Sequence, residues 1–121
     1  MHKKSSILPS GIVTYPTLVG KVLEQQRRRL GIKQSNLAAA LKMSQSAYSR
    51  LESGDSVVNL AQLHIIAPQL KMLPSEVLKS ADQYAKDLLQ QGVHVVSEKQ
   101  SNQAAVAIGL ALLVALLLAS T

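Results

Sequence analysis

A cluster of hydrogen-bonding side chains occupies residues 45–50, and its spacing is that of one helical face. Gln45, Ser46 and Ser49 stand at positions i, i+1 and i+4, and Arg50 follows directly. Glutamine can form two hydrogen bonds with adenine, arginine can pair with guanine or phosphate, and serine adapts to several base edges. These residue types on one face have the chemistry that reading bases in a DNA groove requires.

Two short helices must position that face. The pattern over 34–41 predicts a helix with apolar residues on its inner side, and small Ala38 suits a close crossing of two helices. Ser44 is a good N-cap for the next helix, which Gly54 closes. Two short helices joined by a turn at 42–44 fit a helix-turn-helix, whose second helix enters the major groove.

Further helices flank this pair and predict an all-α chain, in which Val93–Val96 is the one weak candidate for a strand. One begins at Pro16, where a missing N–H costs nothing, and stops at Gly31. Another is capped by Asn59, and Pro68 inside it predicts a kink or an early end. A fifth begins at Pro74. Its apolar stripe could pack either against a second copy, as a short dimer seam, or against the rest of the domain.

Composition and charge narrow the function classes. The 121 residues contain no cysteine, which excludes disulfides, thiolate metal sites and cysteine nucleophiles, and the three histidines are scattered. Residues 1–50 hold nine Lys or Arg and one acidic residue, so a polyanion such as nucleic acid or anionic lipid is the expected partner. Because no nucleotide-binding loop, paired carboxylates or metal spacing is present, we expect no enzyme activity, no metal and no cofactor.

The helical pair and its surroundings resemble one family over roughly residues 18–78. The matching residues are Gly31-Ile32, Gln34, Leu37-Ala38, Met43-Ser44-Gln45-Ser46, Ser49-Arg50-Leu51-Glu52, Gly54, Leu63, Ala67 and Leu70. In these residues the sequence is similar to the Cro/phage-repressor (XRE-type, lambda repressor-like) helix-turn-helix family. The resemblance implies a five-helix DNA-binding domain, usually dimeric, that regulates transcription.

The resemblance also implies roles for single residues. It suggests that Gln34 touches phosphate and braces Gln45, and that Arg27 and Glu52 form an internal ion pair. The candidate DNA-contacting residues are Gln34, Lys42, Gln45, Ser46, Ser49 and Arg50. The sequence departs from the family pattern at Lys42, a turn position usually held by glycine, and at Lys33, where a Ser or Thr cap is usual.

The C-terminal segment suggests a membrane. Residues 104–119 are sixteen consecutive residues without a charged or hydrogen-bonding side chain, a helix of about 24 Å. Flanking residues extend it to a length that is marginal for the ~30 Å hydrocarbon core. The alternative is a buried core helix, but a domain of about 60 residues cannot enclose one that is apolar on every face. Lys86 and Lys99 precede the segment, so we expect the N-terminal domain in the cytoplasm.

The predicted organisation has four parts: a flexible basic arm at 1–15, a helix-turn-helix domain at 16–79, a helical linker and loop at 80–103, and a transmembrane helix at 104–120. The predicted protein is a transcription regulator tethered to the bacterial inner membrane, a homodimer that binds specific double-stranded DNA. Two alternatives remain open at this point. One is a membrane-anchored protein-interaction module linked to the cytoskeleton, and the other is an antitoxin-like partner with the same fold.

Overall fold

The computed structural model describes residues 7–8, 11–97 and 118. Within them the chain forms five helices and three short strands. In chain order these are β1 Ile7–Leu8, β2 Ile12–Thr14, α1 Tyr15–Arg29, α2 Gln34–Ala40, α3 Gln45–Ser53, α4 Leu60–Gln69, α5 Pro74–Gln90 and β3 His94–Val96. The described part is therefore mostly helical, with the five helices that the sequence predicted.

Side-chain caps fix where the helices begin. The Ser44 hydroxyl accepts a 3.1 Å hydrogen bond from the Ala47 N–H at the start of α3. At α4, Asn59 and Gln62 form a reciprocal capping box, with bonds of 2.7 and 2.9 Å. Each cap satisfies a backbone donor that a helix N-terminus otherwise leaves unpaired. Helix α4 ends one residue after Pro68, in line with the loss of a helical hydrogen bond at proline.

A small sheet departs from the all-α prediction. Strand β2 pairs antiparallel with β1 and parallel with β3, so that Val13 lies opposite Val95. Ile12 and Val13 are buried, although the sequence assigned them to a flexible arm at 1–15. The reason is physical: strands of two or three residues show no periodicity, and the β2–β3 pairing joins segments about eighty residues apart.

The core is built around α1, which packs closely against both α5 and α3. Its fully buried large side chains are Ile12, Leu23, Leu37, Tyr48, Ile66, Leu70 and Val77. At the α1–α3 crossing, a Cβ on Gly20 would lie 2.3 Å from the main-chain oxygen of Glu52. The two backbones therefore touch, and this contact sets how closely α3 sits against the domain.

None of the described helices is both long enough and apolar enough to cross a membrane. Helix α5, the longest of them, has 17 residues. It carries the charged side chains Glu76, Lys79, Asp82, Lys86 and Asp87, whereas a span needs about 20 predominantly apolar residues. The predicted localisation in the bacterial inner membrane is wrong on this finding. The span predicted at 104–120 lies outside the described residues, apart from Leu118.

Candidate nucleic-acid interface

The turn between α2 and α3 is tight and carries a lysine in an unusual backbone conformation. Lys42 has φ of 59°, in the left-handed region, as its place at a usual glycine position suggested. The turn closes through hydrogen bonds of 3.0 Å from Lys42 N to Ala39 O and from Met43 N to Ala38 O. Because Ala38 is buried and small, α2 and α3 can cross closely. The Lys42 side chain stays exposed at this corner.

Helix α3 is buried on one face and open on the other. Tyr48, Leu51 and Glu52 face the interior, while Gln45 and Arg50 are exposed. This division follows the helical repeat, since residues four apart share a face. The buried face holds the helix in place and leaves the polar side chains free to meet a ligand.

Four of the candidate side chains come together at one shallow depression. Gln34, at the start of α2, lines it with Gln45, Ser46 and Ser49 of α3. The side-chain amide of Gln45 donates a hydrogen bond of 3.5 Å to the side-chain oxygen of Gln34. Arg50 is exposed on α3 and, like Lys42, does not line this depression. The depression therefore brings two amide and two hydroxyl side chains together.

A buried ion pair supports this depression from below. Arg27 of α1 donates from Nε to Glu52 Oε2 at 2.7 Å and from its terminal nitrogen to Oε1 at 3.0 Å. Another terminal nitrogen of Arg27 bonds the Ile32 carbonyl at 3.0 Å. Gln34 Nε2 also donates to Glu52 Oε1, at 2.8 Å. A continuous path of hydrogen bonds therefore runs from α1 through Glu52 and Gln34 to Gln45.

Burial and hydrogen bonding shift the pKa of Arg27 in this path and of Tyr48 beside it. Arg27 and Glu52 are 8% and 5% exposed, so each needs the other to offset lost hydration. Hydrogen bonds to Glu52 raise the pKa of Arg27 above its ordinary value, although burial opposes them. Burial, aided by the negative charge of Glu52, raises the pKa of the Tyr48 phenol. Both shifts favour the protonated forms, a cationic Arg27 and a neutral Tyr48 phenol.

The surface beside Gln34 extends beyond the candidate DNA-contacting residues predicted from the sequence. A second depression is lined by Arg27, Arg28, Lys33, Gln34, Ser35 and Gln45. The sequence had already singled out Lys33 as a departure from the family's cap pattern, whereas Ser35 was missed. Ser35 follows Gln34 in the chain, and that adjacency is the signal that could have identified it. Arg28 bonds to Glu24 through Nε at 3.1 Å, which offsets part of its charge. Arg29 instead faces α5, on a different side of α1.

Comparison with known proteins agrees with this geometry. Residues 23–73 match a family model described as helix-turn-helix, so the chain carries a helix-turn-helix domain there. Among curated proteins, no sequence matches the chain.

Two solved structures are similar, and both are crystal structures of the clp gene regulator ClgR from Corynebacterium glutamicum. The first is 26% identical in sequence, with a TM-score of 0.54. The alignment covers 58% of this chain and 91% of the ClgR chain. The second is also 26% identical, with a TM-score of 0.56, and its alignment covers 64% of this chain and 87% of the ClgR chain.

Proposed function

We propose that this protein is a sequence-specific DNA-binding regulator of transcription that presents α3 to the major groove. The observation that carries the proposal is the polar depression formed by Gln34, Gln45, Ser46 and Ser49, braced by the buried Arg27–Glu52 pair. The helix-turn-helix match at 23–73 and the likeness to a gene regulator support the same conclusion. No catalytic role is part of the proposal.

Roles follow from the position and chemistry of each side chain. Gln45, Ser46 and Ser49 contact base edges, because short or planar hydrogen-bonding groups on an exposed helical face can reach them. Gln34 contacts phosphate and orients Gln45, to which it is hydrogen-bonded. Such bracing reduces the side-chain freedom that binding must otherwise remove.

Two cations at the edge of the interface contact the DNA backbone. Lys42 is exposed at the turn before α3, and Arg50 is exposed on α3 itself. Contacts between such cations and phosphates are independent of sequence and release counterions, so they make affinity depend on salt. They position the protein, whereas the residues of the depression supply specificity.

The proposed active species is a homodimer. Two copies bound to one duplex would place their α3 helices in successive major grooves, about 34 Å apart. The expected operator is therefore an inverted repeat with half-sites separated by one helical turn.

The experiment that tests the function is selection of DNA from a pool of random duplexes by the purified full chain. We expect an inverted repeat to be enriched and to bind about 1,000-fold tighter than a scrambled duplex of equal length. Equal affinity for selected and scrambled duplexes would contradict sequence-specific binding. The oligomeric state of the complex, measured by analytical ultracentrifugation, tests the homodimer.

A further inference from the structure

A groove separate from the DNA-facing surface lies between α1 and α5. It is called the α1–α5 groove here, and it has a volume of about 630 Å³. Its cationic walls are Arg29, Lys71 and Lys79, and its other lining residues include Val22, Met72 and Tyr84. Small-molecule sites in proteins typically have volumes of about 300–1,000 Å³, so the space suits a ligand of that size.

The groove faces away from the recognition helix. On α1, Gly20 and Arg27 face α3, because Gly20 contacts the Glu52 backbone and Arg27 pairs with its side chain. Val22 and Arg29 line the groove. At 100° per residue these two pairs stand on roughly opposite sides of the helix. A duplex bound along α3 therefore does not occupy the groove.

Among the described residues the groove lining carries a positive charge, because three cations face one carboxylate, Glu76. Three elements supply its cations: Arg29 from α1, Lys71 from the turn after α4, and Lys79 from α5. Over residues 11–97, no carboxylate forms an ion pair with any of them. The one acidic residue in the lining, Glu76, is engaged by the Leu73 N–H at 2.8 Å.

Lys71 stands where a backbone of this shape favours glycine. Its φ is 58°, and the turn closes through bonds from Lys71 N to Pro68 O at 3.0 Å and from Met72 N to Ala67 O at 2.9 Å. A left-handed conformation is costly for a residue with a side chain. Strain of this kind concentrates at functional sites, and here it places a cation at the groove.

Polar contacts hold the walls of the groove in position. Gln26 Nε2 donates to the Leu70 carbonyl at 3.0 Å and ties α1 to the turn that carries Lys71. The Tyr84 hydroxyl donates to the side-chain oxygen of Gln25 and ties α5 to α1. Val22 is buried beneath, and Met72 is partly buried. These bonds tie the elements that form the groove together, and its lining combines the apolar side chains of Val22 and Met72 with three cations.

We propose that the α1–α5 groove binds a small organic anion, with a phosphate or carboxylate group between Arg29, Lys71 and Lys79 and a short apolar body on Val22 and Met72. Arginine and lysine are the residues that proteins use for such oxyanions. The proposal does not depend on DNA binding, because it concerns the opposite side of α1.

The test is titration of the full chain with 1-naphthyl phosphate, followed by calorimetry and by amide chemical shifts. We expect one saturable site, with the largest shifts at the amides of Arg29, Lys71 and Met72. Neutral 1-naphthol lacks the phosphate group and inorganic phosphate lacks the apolar ring, so each should bind at least tenfold more weakly. No saturable binding, or 1-naphthol binding equally well, would overturn the proposal.

Charge variants locate the site. Lys71→Gln/Lys79→Gln should weaken 1-naphthyl phosphate binding about tenfold, and Lys79→Glu alone should weaken it similarly. The matched control Lys21→Gln/Lys86→Gln removes the same charge outside the groove and should change the affinity less than twofold. Equal losses in both double variants would overturn the proposal, because they would indicate a diffuse charge effect.

Binding to the duplex enriched by selection separates this proposal from the proposed function. The groove variant should retain DNA affinity within twofold of the Lys21→Gln/Lys86→Gln control. A larger loss in the groove variant alone would assign these cations to the DNA interface and overturn the proposal. Failure of the chain to bind any DNA would contradict the proposed function. It would not bear on anion binding, because the titration contains no DNA.

Discussion

The side-chain amide of Gln34 donates a 2.8 Å hydrogen bond to Glu52 Oε1, which joins the first residue of α2 to the buried ion pair below α3. The same carboxylate is held by Arg27 of α1. One residue of α3 therefore fixes three helices relative to each other. The position of the polar depression depends on this carboxylate.

Glu52→Gln should destabilise the domain strongly. The substitution keeps the shape of the side chain but leaves the Arg27 charge buried without a counter-charge, a change that costs about 3–5 kcal/mol. Urea unfolding measures the loss. The exposed Asp55→Asn, which removes the same charge at the surface, should alter the free energy of unfolding by less than about 0.5 kcal/mol. Similar small losses in both variants would contradict a structural role for the pair.

Gly20→Ala should separate α1 from α3. A Cβ at this position would lie 2.3 Å from the Glu52 carbonyl oxygen, so the backbones must move apart, at a cost of about 3 kcal/mol, the upper end of the usual range for overpacking. Gly31→Ala is the control, because it meets nothing within 4 Å and costs only the left-handed backbone penalty of about 1–2 kcal/mol. Thermal unfolding of both variants compares them, and a stabilised Gly20→Ala variant would rule out the close contact.

Lys42→Gly should change stability and DNA affinity in opposite directions. At φ of 59°, glycine relieves a strain of about 1 kcal/mol, so the free energy of unfolding should rise. Loss of the cation should lower the salt dependence of DNA binding by about one counterion. Asparagine tolerates this backbone conformation and also lacks the charge, so Lys42→Asn should reduce DNA affinity as much as Lys42→Gly does. Unchanged salt dependence in both variants would remove Lys42 from the interface.

Alkaline pH should destabilise the fold partly through Tyr15. The pKa of Tyr15 is raised from 10.0 to about 12. Burial is the largest cause, and a 2.7 Å hydrogen bond to Asp82 is the second. The folded state keeps this proton while the unfolded state loses it. Stability from Tyr15 is therefore complete below pH 10 and falls between pH 10 and 12, by at most about 1.4 kcal/mol per pH unit.

Tyr15→Phe isolates that contribution, because phenylalanine does not titrate. Urea unfolding at pH 9, 10 and 11 should show a shallower decline for the variant than for the unaltered chain. Some decline should remain, since the pKa of Tyr48 is raised as well. Parallel declines in the two proteins would contradict a protonated Tyr15 in the folded state.

The helices were predictable because their signals are local. Ser44 and Asn59 cap helices in sequence and in structure, and a cap acts within three residues of itself. Of the three strands, the sequence indicated only β3, as the weak candidate Val93–Val96, and β1 and β2 were not predictable in this way. Val13 pairs with Val95 across the whole domain, and a strand of three residues is too short to show alternation.

The candidate site was predictable in composition but not in geometry. Helical spacing placed Gln45, Ser46 and Ser49 on one face, and the described surface has them beside one depression. Arg27 and Glu52 lie 25 residues apart in the chain, so only the family resemblance suggested that they meet. The α1–α5 groove depends on the packing of α1 against α5 and on the turn after α4, and no local pattern in the sequence indicates it.

The central claim is that α3 reads DNA bases, and genome-wide crosslinking with sequencing of the bound DNA tests it most directly. Three forms of the full chain should be compared: unaltered, Gln45→Ala/Ser49→Ala, and a control, Gln83→Ala/Ser75→Ala, with the same residue types changed on the exposed surface of α5. We predict discrete peaks for the unaltered and control chains and their loss in the α3 variant. Identical peaks in all three, or none for the unaltered chain, would contradict base reading by α3.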